Sequence, residues 1–278
     1  MRRIHVDENV TIRTDEAANE AFLSENDLQF FDENNGIAKV TKQRWEKAQR
    51  TERKHWMELG KSSKDDRNFY HLEKFANYSS IKDKTINNAL EVGCGPFTNL
   101  RLIGDYCKIK KCSLNDPLIE SYLQHKNCTY KNDELVIDTS TSKKAFFNRF
   151  VKKKILINEL YTCAFEDINS EEQFDLIVII NVIEHCYDLD KFLKKVLSLL
   201  SSDGILIFED KLYELEKLKS DVNIVYDAAH PLRVNKELII EFLNKNFIQT
   251  YGKIEPNKTE LEGNLFEWDD IYYIGNKK

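Results

Sequence analysis

The chain has 278 residues, 41% of them hydrophobic and 32% charged, and a formal net charge of −6. With only 9 Gly and 4 Pro it is neither collagen-like nor a low-complexity disordered chain. No apolar run approaches the ~20 residues that a membrane-crossing helix needs, and the six cysteines form no CxxC pair, which excludes a membrane span, a zinc ribbon and a disulfide framework as organising features.

Residues 1–40 are polar, with short apolar clusters at 21–23 and 28–31 and a turn at Asn34-Asn35-Gly36. The opening MRRIHVDENV has no apolar h-region, so no secretory signal is expected and the location is expected to be cytoplasmic. Thr41 is placed to cap a helix that runs to about Leu59, with Trp45, Ala48, Trp56 and Leu59 on one stripe and Gly60 as its stop. A second helix is predicted over 65–78, so residues 1–80 read as an N-terminal helical extension. After Lys84 the pattern changes. A short strand at 89–92 ends in a glycine turn, and a helix is predicted over 97–107. A strand at 111–115 leads to a helix at 117–125 with Pro117 near its first position. Residues 129–154 look inserted, with a strand near 134–137 and a helix near 143–150. Strands are predicted at 155–163, 174–181 and 205–208, and helices at 189–200 and 235–246, with Gly204 at the helix-to-strand turn. Segments 247–254 and 265–274 form a terminal antiparallel pair with its turn near Pro256. Strands alternating with helices predict a doubly wound, mostly parallel α/β sheet over 81–278.

The charge is uneven. Residues 42–84 hold 12 Lys/Arg against 7 Asp/Glu, a local charge of +5, which leaves −11 for the remainder. A basic segment on an acidic chain suits an anionic partner or simply solvated helix faces.

Gly93 and Gly95 follow the strand at 89–92, at the end where open α/β sheets bind ligands. A dinucleotide fingerprint requires a third glycine three residues on, and that position is Thr98. Glu91, two residues before Gly93, repels a pyrophosphate and attracts an ammonium. This suits S-adenosylmethionine, which is zwitterionic at its amino-acid end and has no phosphate. Asp116 ends the next strand, where a carboxylate accepts hydrogen bonds from ribose hydroxyls; it is equally placed to cap the helix that starts at Pro117.

From about residue 86 onward the chain resembles the class I S-adenosylmethionine-dependent methyltransferases. The resemblance rests on the ExGxG turn (Glu91, Gly93, Gly95), Asp116, the run Phe165-Glu166-Asp167-Ile168, FDLIVIINVIEH at 174–185 and the helix-turn-strand at 188–210. It implies a Rossmann-like fold and a cofactor site drawn from Glu91, Gly93, Cys94, Gly95, Asp116, Pro117, Phe165, Glu166 and Asn181. Many members carry an acid for the adenine amino group where this chain has Ala164, so adenine recognition falls to the backbone around Phe165 or to the Glu166 side chain. The stretch Arg44–Gln49 is similar to a helical extension of bacterial members near surface-polysaccharide pathways.

The strand end Asn181-Val182-Ile183-Glu184-His185 is expected beside the transferred methyl. His185 is the first base candidate, with Glu184 orienting it or accepting a proton itself. His230 is a second base, and Arg233 a fork for a phosphate or carboxylate, with Tyr226 just upstream on the substrate side. No Asn/Asp-Pro-Pro-Tyr/Phe, Pro-Cys, GxSxG or HExxH motif occurs, and no metal is expected. The expected activity is methyl transfer to an O or N atom of a small polar, anionic acceptor, such as a phosphorylated metabolite or sugar. The alternatives are an RNA methyltransferase, disfavoured by a pI near 5.7, an inactive binding subunit of the same fold, and a nicotinamide dehydrogenase. Oligomeric state is open.

Overall fold

The computed structural model describes residues 2–4, 29–32, 34–57, 67–131, 134–136, 154–220, 228–261 and 264–278. Its centre follows from the apolar run at 174–180. Leu176, Val178 and Ile180 pack into one core cluster, and Phe174, Ile177 and Ile179 into another on the opposite face. A strand buried on both faces is what a parallel sheet covered on both sides requires.

That strand is the eighth in the chain. The strands are β1 (Arg2–Ile4), β2 (Gln29–Asp32), β3 (Gly36–Val40), β4 (Thr85–Val92), β5 (Lys108–Asn115), β6 (Glu134–Val136), β7 (Lys154–Tyr161), β8 (Phe174–Ile180), β9 (Leu200–Leu212), β10 (Arg233–Val234), β11 (Phe247–Leu261) and β12 (Asn264–Lys277). Eight of them form one sheet in the order β11-β12-β9-β8-β4-β5-β7-β6. The five strands from β9 to β7 pair in parallel, and β12, β11 and β6 are antiparallel to their neighbours. The order reverses between β4 and β8, and this switch point opens a crevice beyond the strand ends.

Some boundaries differ from those predicted. The helix after the glycine turn is one turn, α3 (Leu100–Ile103), because the chain turns at Gly104 towards β5. The next, α4 (Ile119–Tyr122), is equally short. The terminal hairpin runs past Pro256, which lies inside β11 opposite Asp269. A proline is tolerated there because β11 is an edge strand with no ladder to feed on its outer side. β6 occupies part of the predicted 134–137 strand, whereas the helix predicted near 143–150 lies outside the described residues.

The N-terminal extension is not purely helical. α1 (Lys42–Met57) and α2 (Arg67–Lys74) match the two predicted helices, but β1, β2 and β3 form an antiparallel sheet that β10 completes. Ile37 and Val40 of β3 are both buried in the core, but at a spacing of three they give no strand alternation to read in the sequence. The extension is anchored along the loop after β8. Val40 N donates to Tyr187 O at 2.9 Å, and both Trp45 Nε1 and Gln49 Nε2 donate to the His185 carbonyl, at 2.9 and 3.2 Å. Lys39 pairs with Asp188, and Lys42 with Asp167.

Candidate active site

The glycine turn is built by local hydrogen bonds. Gly93 and Gly95 both have left-handed backbones, with φ of +65° and +53°. A Cβ on Gly93 would fall 2.6 Å from Val182, so the β4 and β8 loops approach there too closely for any side chain. A Cβ on Gly95 would meet nothing within 4 Å, so this backbone borders open space suited to a ligand. Glu91 is placed differently from its expected role. Its carboxylate accepts from Asn99 N at 2.8 Å, Asn99 Nδ2 at 3.0 Å, Leu100 N at 3.2 Å and the Thr98 hydroxyl. It is 1% exposed and caps the start of α3 rather than facing the crevice. Burial pushes its pKa up, against the hydrogen bonds from Thr98, Asn99 and Leu100.

Asp116 lies at the tip of β5. Its Oδ1 accepts from Leu118 N at 2.8 Å and its Oδ2 from Gly95 N at 3.1 Å, so one carboxylate joins the two loops. Burial pushes its pKa up to about 7, against those two hydrogen bonds. The far wall holds Phe165, packed on Phe192 with ring centroids 4.8 Å apart. Glu166 Oε1 is engaged by Tyr187 N at 2.8 Å and Asp188 N at 3.2 Å. The side-chain route to adenine is thereby weakened, leaving the Phe165 ring and the backbone beside Ala164.

At the end of β8, Asn181 takes a left-handed backbone with φ of +57°, and its N–H donates to the Glu209 carbonyl at 2.9 Å. Val182 N and Ile183 N then donate to Asp210 Oδ2 at 2.8 and 2.6 Å, which fixes the loop that presents His185. Glu184 and Arg233, expected as a proton acceptor and an anion fork, instead form a buried ion pair with each other, both side chains below 7% exposed. The Tyr213 hydroxyl adds 2.7 Å to Glu184 Oε1. Burial opposes ionisation of Glu184, but Arg233, His230 and Lys211 hold its pKa down at about 2. Neither residue lines the cavity. The reason is tertiary: β10 pairs with β3 and carries Arg233 inward. Tyr226 lies outside the described residues.

His185 does face the cavity, and its ring lies 4.5 Å from that of His230. Its Nδ1 is buried and without a hydrogen-bond partner. Burial lowers its pKa to about 4, with His230 adding to the effect and Glu52 and Glu184 opposing it. Glu52 itself stays ionised: burial raises its pKa, but His185, His230 and the Trp56 N–H outweigh this.

These groups border one cavity of about 730 Å³, within the size range of small-molecule sites. Gly93, Cys94, Gly95, Asp116 and Pro117 line one end, with Phe165, Glu166 and Asn181 on the far wall. Three contributors were not singled out in the sequence: Glu52 from α1, His71 from α2 and Glu209 from β9. Glu209 had a signal, since two acids directly follow the apolar run 205–208. The helical residues had none, because nothing local says which face of α1 or α2 meets the crevice. Among the described residues no group of three or more His, Cys, Asp and Glu is placed to hold a metal ion, and no helix is long and apolar enough to cross a membrane.

A switch-point crevice with a two-glycine turn on one strand and a carboxylate on the next is the arrangement of class I S-adenosylmethionine-dependent methyltransferases. Residues 62–244 match the family model described as a methyltransferase domain, and the chain belongs to that family. Its cofactor is S-adenosylmethionine, and the open space at Gly95 together with the Asp116 carboxylate fits that molecule. No curated protein matches the chain. Among solved structures it is similar to MccD (12% identity, TM-score 0.50, covering 75% of this chain and 96% of that one). It is also similar to the N-methyltransferase NodS of Bradyrhizobium japonicum in complex with S-adenosylhomocysteine (13%, 0.48, covering 84% and 98%). A third is the YcgJ protein of Bacillus subtilis (12%, 0.48, covering 76% and 98%). At these identities the likeness extends to the fold alone.

Proposed function

We propose that this methyltransferase acts on an O or N atom of a small polar acceptor, bound between the β8 loop, α2 and the terminal hairpin. The observation that carries the reading is the single cavity bordered by Gly95, Asp116, Asn181 and His185. The cofactor supplies an electrophilic methyl group on a sulfonium when bound. The chain's part is to hold, orient and dry the reactants. Gly95 lets backbone approach the cofactor, Asp116 accepts from its ribose hydroxyls, and Phe165 packs on its base. His185 offers Nδ1 as a hydrogen-bond acceptor to the group being methylated. With its pKa lowered to about 4, it orients that group rather than carrying a proton away.

A small acceptor is favoured over RNA by the acidic pI near 5.7, and several cations of the described part of the basic segment already have partners within the chain. Lys42 pairs with Asp167, Arg44 donates to the Ala228 carbonyl and Arg53 to Ser121. An anionic acceptor loses its anchor with Arg233 buried against Glu184. The surface-polysaccharide link rests on the Arg44–Gln49 resemblance alone. Calorimetry with S-adenosylhomocysteine tests the reading, and absence of binding at millimolar ligand refutes it. His185→Ala should lower turnover at least tenfold with unchanged ligand affinity, consistent with general magnitudes for an orienting group near the reacting centre.

A further inference from the structure

The cavity contains a buried carboxylate that the reading above leaves unused. Ile205 and Ile207 of β9 point into the core cluster that also holds Tyr272 and Ile274. Glu209 continues the same face at a spacing of two, so an acid stands where the strand pattern places an apolar residue. It is 3% exposed, lines the cavity, and its Oε2 is buried with no hydrogen bond. His71 Nδ1 lies 3.8 Å from Oε2, beyond hydrogen-bond distance. A buried acceptor left in this state is costly unless a ligand satisfies it. Burial first, then the Asp210 and Asp270 carboxylates, raise the Glu209 pKa well above normal, with Lys211 opposing. Asp210 is already held by Val182 N and Ile183 N.

Its surroundings select for positive charge. Asp270 borders the same space, held by Trp268 Nε1 at 2.8 Å and Asn257 Nδ2 at 3.0 Å. Tyr70, Trp268 and Tyr272 add aromatic rings, which attract cations through their faces. The lysine nearby, Lys211, is committed: its Nζ is 3.8 Å from Glu184 Oε2 and lies over the Trp268 ring at 5.7 Å. The position is also right for chemistry, because the Glu209 carbonyl accepts from Asn181 N at the tip of β8.

We propose that Glu209 binds the acceptor's amino group as an ammonium and takes its proton, making this enzyme an amine methyltransferase. The proposal rests on the methyl-transfer reading and names its acceptor class. One N–H proton passes to Glu209 Oε2. The freed nitrogen lone pair forms the new N–C bond as the S–C bond of the sulfonium breaks with its electron pair to sulfur. The product leaves as a methylated ammonium, and the carboxyl later returns its proton to water.

The test uses protein saturated with S-adenosylhomocysteine, with benzylammonium and its neutral isostere benzyl alcohol as probes. Calorimetry gives their affinities, and the ¹³C-carboxyl signal of labelled glutamate, assigned by its loss in Glu209→Gln, reports protonation. Benzylammonium should bind about tenfold or more tightly than the alcohol, as a charge-assisted hydrogen bond implies. It should also move the Glu209 signal to the ionised position. Glu209→Gln should erase the preference and leave S-adenosylhomocysteine affinity unchanged. Equal binding of the two probes, or a preference that survives in Glu209→Gln, overturns the proposal. Where Glu209→Gln does not fold, equal binding of the two probes by the wild type still overturns the proposal, and Asp270→Asn, which should keep the preference, replaces it as the control. Failure of S-adenosylhomocysteine itself to bind would overturn the methyl-transfer reading instead.

Discussion

On the proposal that Asp116 accepts from the cofactor's ribose, cofactor affinity should depend on pH, and the size of the effect follows from the carboxyl's surroundings. The carboxyl is buried, joins two loops and titrates at about 7. Only the ionised carboxylate has the acceptor capacity for two ribose hydroxyls beside Gly95 N and Leu118 N, because the neutral acid turns one oxygen into a donor. At pH 8 roughly ten in eleven molecules carry the ionised form, and at pH 6 roughly one in eleven. The dissociation constant for S-adenosylhomocysteine should therefore rise about tenfold from pH 8 to pH 6, or ~1.4 kcal/mol. The sign for folding is opposite. The folded pKa lies above the unfolded value of 3.8, so Asp116 favours the folded state at low pH and loses that contribution as pH rises towards 7. Ligand binding above pH 7 thus acts on a site under electrostatic tension. Calorimetry across pH 5.5–8.5 measures the profile, and Asp116→Asn should flatten it while weakening binding by about 10- to 100-fold. A profile that is flat in the wild type, or that persists unchanged in Asp116→Asn, refutes the ribose role. Asp210 also titrates near 7 but holds backbone rather than ligand, so the Asn variant separates the two.

The remaining expectations concern the turn, the buried pair and the extension. Gly93→Ala should destabilise the fold by ~2–3 kcal/mol through strain and the clash with Val182, whereas Gly95→Ala should cost only ~1 kcal/mol and instead block ligand binding; melting temperature and calorimetry distinguish them. Arg233→Met should destabilise by ~3 kcal/mol by removing the cation in contact with buried Glu184, which keeps only Lys211 at 3.8 Å and the Tyr213 hydroxyl, with much of the loss recovered in the Glu184→Gln/Arg233→Met double variant, as measured by urea denaturation. Trp45→Phe removes the indole hydrogen bond to the His185 carbonyl and should cost ~1 kcal/mol with a lower rate of methyl transfer, read from denaturation and turnover.

The parts legible in the sequence are those whose chemistry is local. Buried parallel strands show as continuous apolar runs, and the turn at Gly93–Gly95 and the acid at Asp116 keep fixed distances from strand ends. What was misread depends on partners far along the chain. Nothing near Glu91 distinguishes a carboxylate facing a ligand from one capping a helix start seven to nine residues on. Arg233 reads as a fork for a substrate's phosphate or carboxylate until Glu184, 49 residues away, is found beside it. The strands of the extension are set by pairing with one another and, for β3, with β10 rather than by their own short pattern.

That last pairing has a consequence for how the protein is made. Asn34 and Asn35 receive hydrogen bonds from Asn235, about 200 residues later in the chain. During synthesis from the N-terminus, residues 34–40 emerge long before β10 exists to receive them. Contacts this remote carry a large loop-closure cost and form late. α1 can settle on the 185–188 loop once that is made, but the pairing of β3 with β10 waits for residues 233–235. Since Trp268, Asp270 and Tyr272 also line the cavity, its wall is complete only once the terminal hairpin has been made.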